Sequence, residues 1–162
     1  MTSITIPDSV TIIGDKAFSK CKKLKYITMP KNVTYIGEYA FCNCESLKSI
    51  SLPNGITEIK NGAFISCESL TNIVIPDGVT SIGEMVFGSC TSLKSVVLPN
   101  GLTSIGMGAF YECTGLSAIT IPDGVISIGD SVFWSCTSLK TIHIAKGKQY
   151  RNLPSSAKII EY

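Results

Sequence analysis

The sequence has a single histidine, and it lacks the features that mark several common functional classes. Its 14 basic and 12 acidic residues give a formal net charge of +2, so bulk charge indicates neither a nucleic-acid partner nor a membrane-surface partner. No apolar run approaches the roughly 18 residues of a membrane span, and we expect no membrane insertion. The opening MTSITIPDSV lacks the basic and apolar regions of a signal peptide. With 44% hydrophobic residues in 162, the chain is expected to fold around a sizeable core.

A repeat of 23 residues runs through the chain, as the segments TSLKSVVLPNGLTSIG and TSLKTIHIAKG show. Apolar residues two positions apart in each copy predict a short strand with one buried face. The first of each pair is Ile4, Ile27, Ile50, Ile73, Val96, Ile119 or Ile142, and the second is Ile6, Met29, Leu52, Ile75, Leu98, Ile121 or Ile144. Proline follows in six copies and should end each strand, because it has no N–H for a ladder.

The rest of each copy predicts a second extended segment and then a short helical turn. The extended segment carries pairs such as Val10 and Ile13, and glycine follows it in five copies, where we expect φ > 0; Lys60 replaces it in the third copy. The spacing from Ala17 to Leu24 fits one side of a helix. Acidic residues precede it, as at a helix N-terminus: Asp15, Glu38, Glu84 and Asp130.

Stacking of these units predicts a repeat solenoid, because one copy cannot bury its apolar positions alone. We expect a right-handed, all-parallel leucine-rich-repeat solenoid with short β-strands on one side and extended segments and helical turns on the other. Six repeats and a seventh strand should form the solenoid over residues 1–144. Residues 145–162 should form a C-terminal capping segment.

The unit CxxLxxIxIPxxVxxIGxxAF resembles the BspA-like leucine-rich repeats, and Leu24, Ile27, Met29 and Asn32 also fit the general pattern LxxLxLxxN. The resemblance covers residues 3–144. It implies a horseshoe-like solenoid, usually part of a secreted or surface-attached protein of host-associated microbes that is used in adhesion. The chain itself has no export signal, anchor or additional domain that the sequence identifies.

Six of the seven cysteines recur every 23 residues beside phenylalanine, which predicts a ladder of reduced, buried thiols. Side chains stacked in parallel are poorly placed for disulfides, and a straight ladder offers no tetrahedral zinc site. Only Cys42 lies off the ladder, and we expect it to be the exposed thiol that reacts first. The recurring phenylalanines should be core residues.

Catalytic motifs are missing as well. The sequence has no GxSxG, no phosphate-binding loop and no paired carboxylates at a meaningful spacing. A Ser-His-acid triad or a Cys-His pair would need His143, which falls at an outward strand position while the ladder cysteines point inward. We therefore predict that the protein is not an enzyme and that it uses no cofactor or metal.

The outward strand positions form the principal candidate binding surface. They carry small side chains, which leave a broad sheet open to a macromolecule, and lysines border them at the start of several strands. The candidate ligand-binding residues are Thr28, Ser51, Val74, Val97, Thr120 and His143, with Lys48 and Lys94 from the lysine row. The expected partner is a protein or glycan of a host or matrix, and the expected location is extracellular or at a cell surface.

Two alternatives stay open. Tyr111 and Trp134 should be neighbours one coil apart on the helical side, where an exposed aromatic pair would be an interface anchor or would pack beneath the C-terminal tail. The first strand should leave Ile4, Ile6 and Phe18 at an uncapped end, which would suit a structural or self-assembly role and a homodimer through that edge.

Overall fold

The computed structural model describes residues 2–162 as a solenoid of short parallel strands. Each 23-residue coil contributes one strand to a strand face and one to a second face. The strand face consists of β1 (Ser3–Thr5), β3 (Tyr26–Thr28), β5 (Ser49–Ile50), β7 (Asn72–Val74), β9 (Ser95–Val97), β11 (Ala118–Thr120) and β13 (Thr141–Ile144). The second face consists of β2 (Ile12–Ile13), β4 (Tyr35–Ile36), β6 (Glu58–Ile59), β8 (Ser81–Ile82), β10 (Ser104–Ile105) and β12 (Ser127–Ile128). The predicted solenoid is therefore confirmed.

The register keeps equivalent residues of neighbouring coils side by side. Ile4 pairs with Ile27, and Ile105 pairs with Ile128, each 23 residues along the chain. Inward residues consequently stack in rows and form one hydrophobic core that runs the length of the solenoid. Four phenylalanines of the predicted row are fully buried: Phe41, Phe64, Phe87 and Phe110. Their rings stack with centroids 5.3–5.7 Å apart.

The third side of each coil is built from consecutive turns, so the predicted helical turns are wrong. No helix occurs between residues 2 and 162. In the first coil Lys16 and Lys20 have left-handed φ values of 57° and 63°, which a right-handed helix excludes. The N–H of Phe18 donates to the carbonyl of Ala40 in the next coil at 2.8 Å. Stacked helices would need a spacing of about 10 Å, twice the ~4.8 Å between parallel strands, so turns are the structure that fits.

The helix-capping role predicted for the acidic residues is wrong, and Asp15 and the equivalent Asn61 instead link neighbouring coils. The carboxylate of Asp15 accepts a hydrogen bond from the N–H of Glu38 in the next coil at 2.9 Å. Asn61 does the same for the N–H of Glu84 at 2.8 Å. These side chains therefore join neighbouring coils, and they do not cap a helix.

Four of the five glycines that follow the second extended segment are required by close packing, Gly14 being the exception, and the predicted positive φ is wrong. Positive φ occurs two residues later, for example at Tyr39 and Gly62. A Cβ at Gly106 would lie 2.5 Å from the backbone of Gly83 in the preceding coil. Where Lys60 replaces glycine, the ladder of the second face is interrupted between β4 and β6.

Residues 145–162 follow β13 and return to the strand face. They contain β14 (Lys158–Glu161), which pairs in parallel with β13. Tyr150 and Leu153 pack against the core, and the hydroxyl of Tyr150 donates to the carbonyl of Val125 at 2.9 Å. Ala157 is buried as well. The hydrophobic core therefore continues past the last 23-residue repeat.

Candidate binding surface

The strand face presents a continuous row of outward side chains. Strand geometry turns alternate residues outward, so Ile73 and Ile75 are buried while Val74 between them is 62% exposed. Val97 is 56% exposed in the same row. Thr28, Ser51 and Thr120 are also exposed. The structure thus brings five of the six predicted row residues into one solvent-facing line.

His143 differs from the rest of this row because it is half-buried. Its partner in the parallel pair of β13 and β14 is Ile160. The sequence repeat ends at β13, so the pattern gave no sign that a further strand would lie beside the histidine. His143 therefore borders the exposed row at its end.

A cleft opens in the middle of the strand face, between β5 and β7. The two strands are not paired, and the cleft between them has a volume of about 300 Å³. At three of the six junctions of this face an inward residue donates across the gap, as the N–H of Ile75 does to the carbonyl of Val97 at 3.0 Å. Among the described residues the equivalent bond is absent from Leu52 to Val74, as it is from Met29 to Ser51 and from Leu98 to Thr120. Backbone donors and acceptors are consequently left free for a ligand in the cleft.

The walls of this cleft combine polar and apolar side chains. Ser51 and Asn72 supply a hydroxyl and an amide, and Val74 and Pro76 supply apolar surface. Ile50, which is buried, forms part of the base. Two of these residues, Ser51 and Val74, belong to the predicted binding row. Such a cleft can hydrogen-bond an extended chain or a sugar and contact its apolar groups at the same time.

Unpaired lysines border the strand face. Lys48 and Lys94 are exposed, as are Lys25 and Lys140 of the same row. Within residues 2–162 the ion pairs involve other lysines, such as Lys22 with Glu45 at 2.8 Å. The lysine row therefore borders the sheet without an ion-pair partner among the described residues.

Two residues of this face were missed by the sequence analysis. Tyr26 projects outward from β3 and is 51% exposed, which adds an aromatic side chain to the face. Lys158 lies on β14 beside Thr141 and adds a cation next to Lys140. Tyr26 could have been found from its alternation with Ile27, whereas Lys158 lies outside the repeat.

Tyr111 and Trp134 are stacked on the turn side, with centroids 4.8 Å apart and an angle of 10° between the rings. Trp134 is 55% exposed, so the C-terminal tail does not cover it. Asn152 and Pro154 of the tail line a hollow of about 140 Å³ beside the indole. The predicted pair is therefore formed and accessible.

The cysteine ladder follows the prediction at five of its six positions. Cys67 is buried, and its thiol donates to the carbonyl of Phe41 in the preceding coil at 3.3 Å. Burial raises the pKa of Cys44 to about 12 and that of Cys136 to about 11, which keeps these thiols protonated. The expectation for Cys21 is wrong: it is exposed, because no coil precedes it among the described residues.

Ligand sets for a metal ion are not seen within residues 2–162, where no three His, Cys, Asp or Glu side chains come together. The same residues contain no helix that is long and apolar enough to cross a membrane.

Comparison with known families decides the classification. Residues 1–83 and 57–157 match the family described as BspA type leucine rich repeat region, six copies. The chain belongs to this family. Among curated proteins no match was found.

Solved structures of bacterial leucine-rich-repeat proteins share the fold. A leucine rich cell surface protein of Faecalibacterium prausnitzii is 41% identical over 89% of this chain, with a TM-score of 0.82. The leucine rich repeat protein of T. pallidum is 34% identical over 85% of this chain and 78% of its own, with a TM-score of 0.76. The chain spans only 39% of the length of the Faecalibacterium protein.

Proposed function

We propose that this BspA-type solenoid is a non-catalytic binding module that holds a host or matrix protein or glycan on its strand face. The observation that carries the proposal is the cleft between β5 and β7, which lies within the exposed row and contains Ser51 and Val74. Two exposed valines in the row, Val74 and Val97, supply apolar contact area that a free sheet would otherwise leave in water.

Charge supports an acidic partner for this face. Lys48 and Lys94 are exposed and make no ion pair within the described residues. They would attract a sulfated or sialylated glycan or an acidic protein segment, and the attraction would weaken with salt, because exposed charges are screened beyond about 8 Å at physiological ionic strength. The relative from Faecalibacterium is described as a cell surface protein, which supports the same location for this module.

The test compares matched charge insertions on two faces. Val74→Glu together with Val97→Glu should abolish binding to ligands found in a panel of matrix proteins and acidic glycans. Ile126→Glu is the control, since Ile126 is 80% exposed beside the second face. Lys48→Glu with Lys94→Glu should weaken binding and flatten its salt dependence. The opposite result is that both strand-face double variants bind like the parent while the double variant Tyr111→Ala, Trp134→Ala loses binding. That result would assign the ligand to the turn side.

A second candidate is self-association through the end that β1 and β2 form. A hollow of about 380 Å³ lies there, lined by half-buried Phe18, exposed Cys21 and buried Leu24. Lys20, Lys22 and Lys23 also line this hollow. Like charge between two such ends opposes a homodimer at low salt, so this role predicts association that strengthens with ionic strength. Light scattering at rising concentration and salt tests it, and a monomer throughout would exclude it.

A further inference from the structure

Trp134 has one covered ring face and one open ring face. Tyr111, in the preceding coil, stacks on the indole at 4.8 Å with nearly parallel planes. The opposite face points away from that coil, toward the tail residues Asn152 and Pro154. Since 55% of the residue is exposed, the tail leaves that second face accessible. Stacking on Tyr111 holds the indole in a fixed orientation, so it offers a rigid aromatic platform.

The space beside this platform is small and has fixed polar groups. The hollow has a volume of about 140 Å³, below the ~300 Å³ at which pockets enclose a whole drug-sized ligand, so it fits a single ring. Ser131 and Asn152 line it. The Nδ2 of Asn152 donates to the carbonyl of Ile128 at 3.0 Å, which fixes the amide. Its Oδ1 makes no hydrogen bond among residues 2–162 and can accept one from a ligand.

From this geometry we infer that Trp134, Ser131 and Asn152 form a subsite for one pyranose ring of a sugar. A pyranose has an apolar face of C–H groups that can lie against the indole, and hydroxyl groups at its edge that can reach the Asn152 amide oxygen and the Ser131 hydroxyl. A proline or phenylalanine ring would fill the same space but would make no hydrogen bond to either polar group. The site is separate from the strand face and does not depend on the function proposed for it.

A single sugar ring held at one open site is expected to bind weakly. A ligand of about a dozen heavy atoms, binding with the per-atom efficiency of drug-sized ligands, has a dissociation constant near the millimolar range. Trp134 is the sole tryptophan of the chain, so its fluorescence emission reports occupancy of this subsite directly.

The experiment titrates the full chain with methyl glycosides of glucose, galactose, mannose and N-acetylglucosamine, and with a polyproline peptide, while the emission of Trp134 is followed. We expect a saturable shift with at least one sugar, absent from free N-acetyltryptophanamide. Asn152→Ala should weaken that sugar two- to tenfold, the range expected for one hydrogen bond. Ser131→Gly should also weaken it, and it retains the fold because the φ of 56° at this position suits glycine.

Saturation-transfer NMR supplies a readout that does not need the indole. Trp134→Ala should lose transfer to the sugar, whereas Val74→Glu on the strand face should keep it. The inference is overturned if no sugar shifts the emission at about 100 mM, roughly a hundredfold above the expected constant. It is also overturned if Asn152→Ala and Ser131→Gly both bind like the parent, or if only the polyproline peptide produces the shift. Loss of macromolecular binding in the strand-face variants, with sugar binding intact, would separate the two sites.

Discussion

The thiol of Cys90 donates a hydrogen bond to the carbonyl oxygen of Phe64, 3.2 Å away in the preceding coil. The same contact recurs along the ladder, for example from Cys113 to Phe87 at 3.1 Å. The Phe64 carbonyl also accepts the N–H of Cys67 at 3.1 Å, so the thiol, a small apolar group, supplies a weak second donor to it. Cysteine therefore suits this position better than alanine, which would fill less space and donate nothing.

Native alkylation should separate two cysteines from the other five. Cys21 is exposed and Cys42 is half-buried, while the remaining thiols are buried. We expect iodoacetamide to modify Cys21 and Cys42 before the protein unfolds, because alkylation requires an accessible thiolate. Mass spectrometry of the native and unfolded protein measures the order. Modification of Cys67 or Cys90 at the rate of Cys21 would contradict the burial of the ladder.

Alkaline pH should destabilise the fold through the buried thiols. The pKa of Cys44 is raised by burial from an ordinary 9.0 to about 12. Below pH 9 the thiol is protonated in both states and adds no pH dependence. Between pH 9 and about 12 the unfolded chain releases the proton while the folded chain keeps it, so the free energy of unfolding falls as pH rises.

The variant Cys44→Ala isolates the pH dependence that Cys44 adds to stability from that of the lysines and tyrosines, which titrate in the same range. Urea denaturation of the parent and of Cys44→Ala across the same pH range, with a reductant present, should give a shallower pH dependence for the variant. The difference should approach one proton per molecule between the two pKa values. Parallel pH profiles for the two proteins would show that Cys44 does not titrate as its burial requires.

A glycine at a left-handed position of the turn side should stabilise the protein. Ser66 has a φ of 57° and no side-chain hydrogen bond among the described residues. Ser66→Gly relieves about 1–2 kcal/mol of left-handed strain and loses about 0.5–1 kcal/mol to the entropy of the unfolded chain, which predicts a net gain of about 1 kcal/mol. Ser69→Gly, three residues later at a position without positive φ, should instead lose stability. Urea denaturation measures both variants, and equal changes in the free energy of unfolding for Ser66→Gly and Ser69→Gly would contradict the left-handed geometry at Ser66.

Within the central repeats the sequence was sufficient to predict which strand side chains face the core and which face solvent. Ile27 and Ile50 recur at the same place in a 23-residue unit, and alternation then places Thr28 and Ser51 outside. The direction of each strand side chain depends only on its position within one 23-residue repeat. Parallel stacking of equivalent residues follows once the repeat is recognised, because each copy needs its neighbours to bury its apolar positions.

Features that depend on the distance between coils could not be predicted this way. The turns replace helices because coils approach more closely than helices can, and Gly106 is needed because the backbone of Gly83 lies beside it. The cleft between β5 and β7 lies at one of two unpaired junctions of the strand face, the other being between β9 and β11, and the strand sequences there resemble the others. Likewise, β14 lies outside the repeat, so neither its cover over His143 nor the position of Lys158 could be inferred.

Amide hydrogen exchange with and without the tightest ligand of the panel tests the strand-face assignment most directly. In the free protein the N–H of Leu52 should exchange faster than that of Ile75, which donates to Val97. Ligand should slow exchange in residues 49–52 and 72–75 and leave residues 126–128 and 131–135 unchanged. Slower amide exchange confined to residues 131–135, or no slowing around the cleft, would contradict the strand-face assignment.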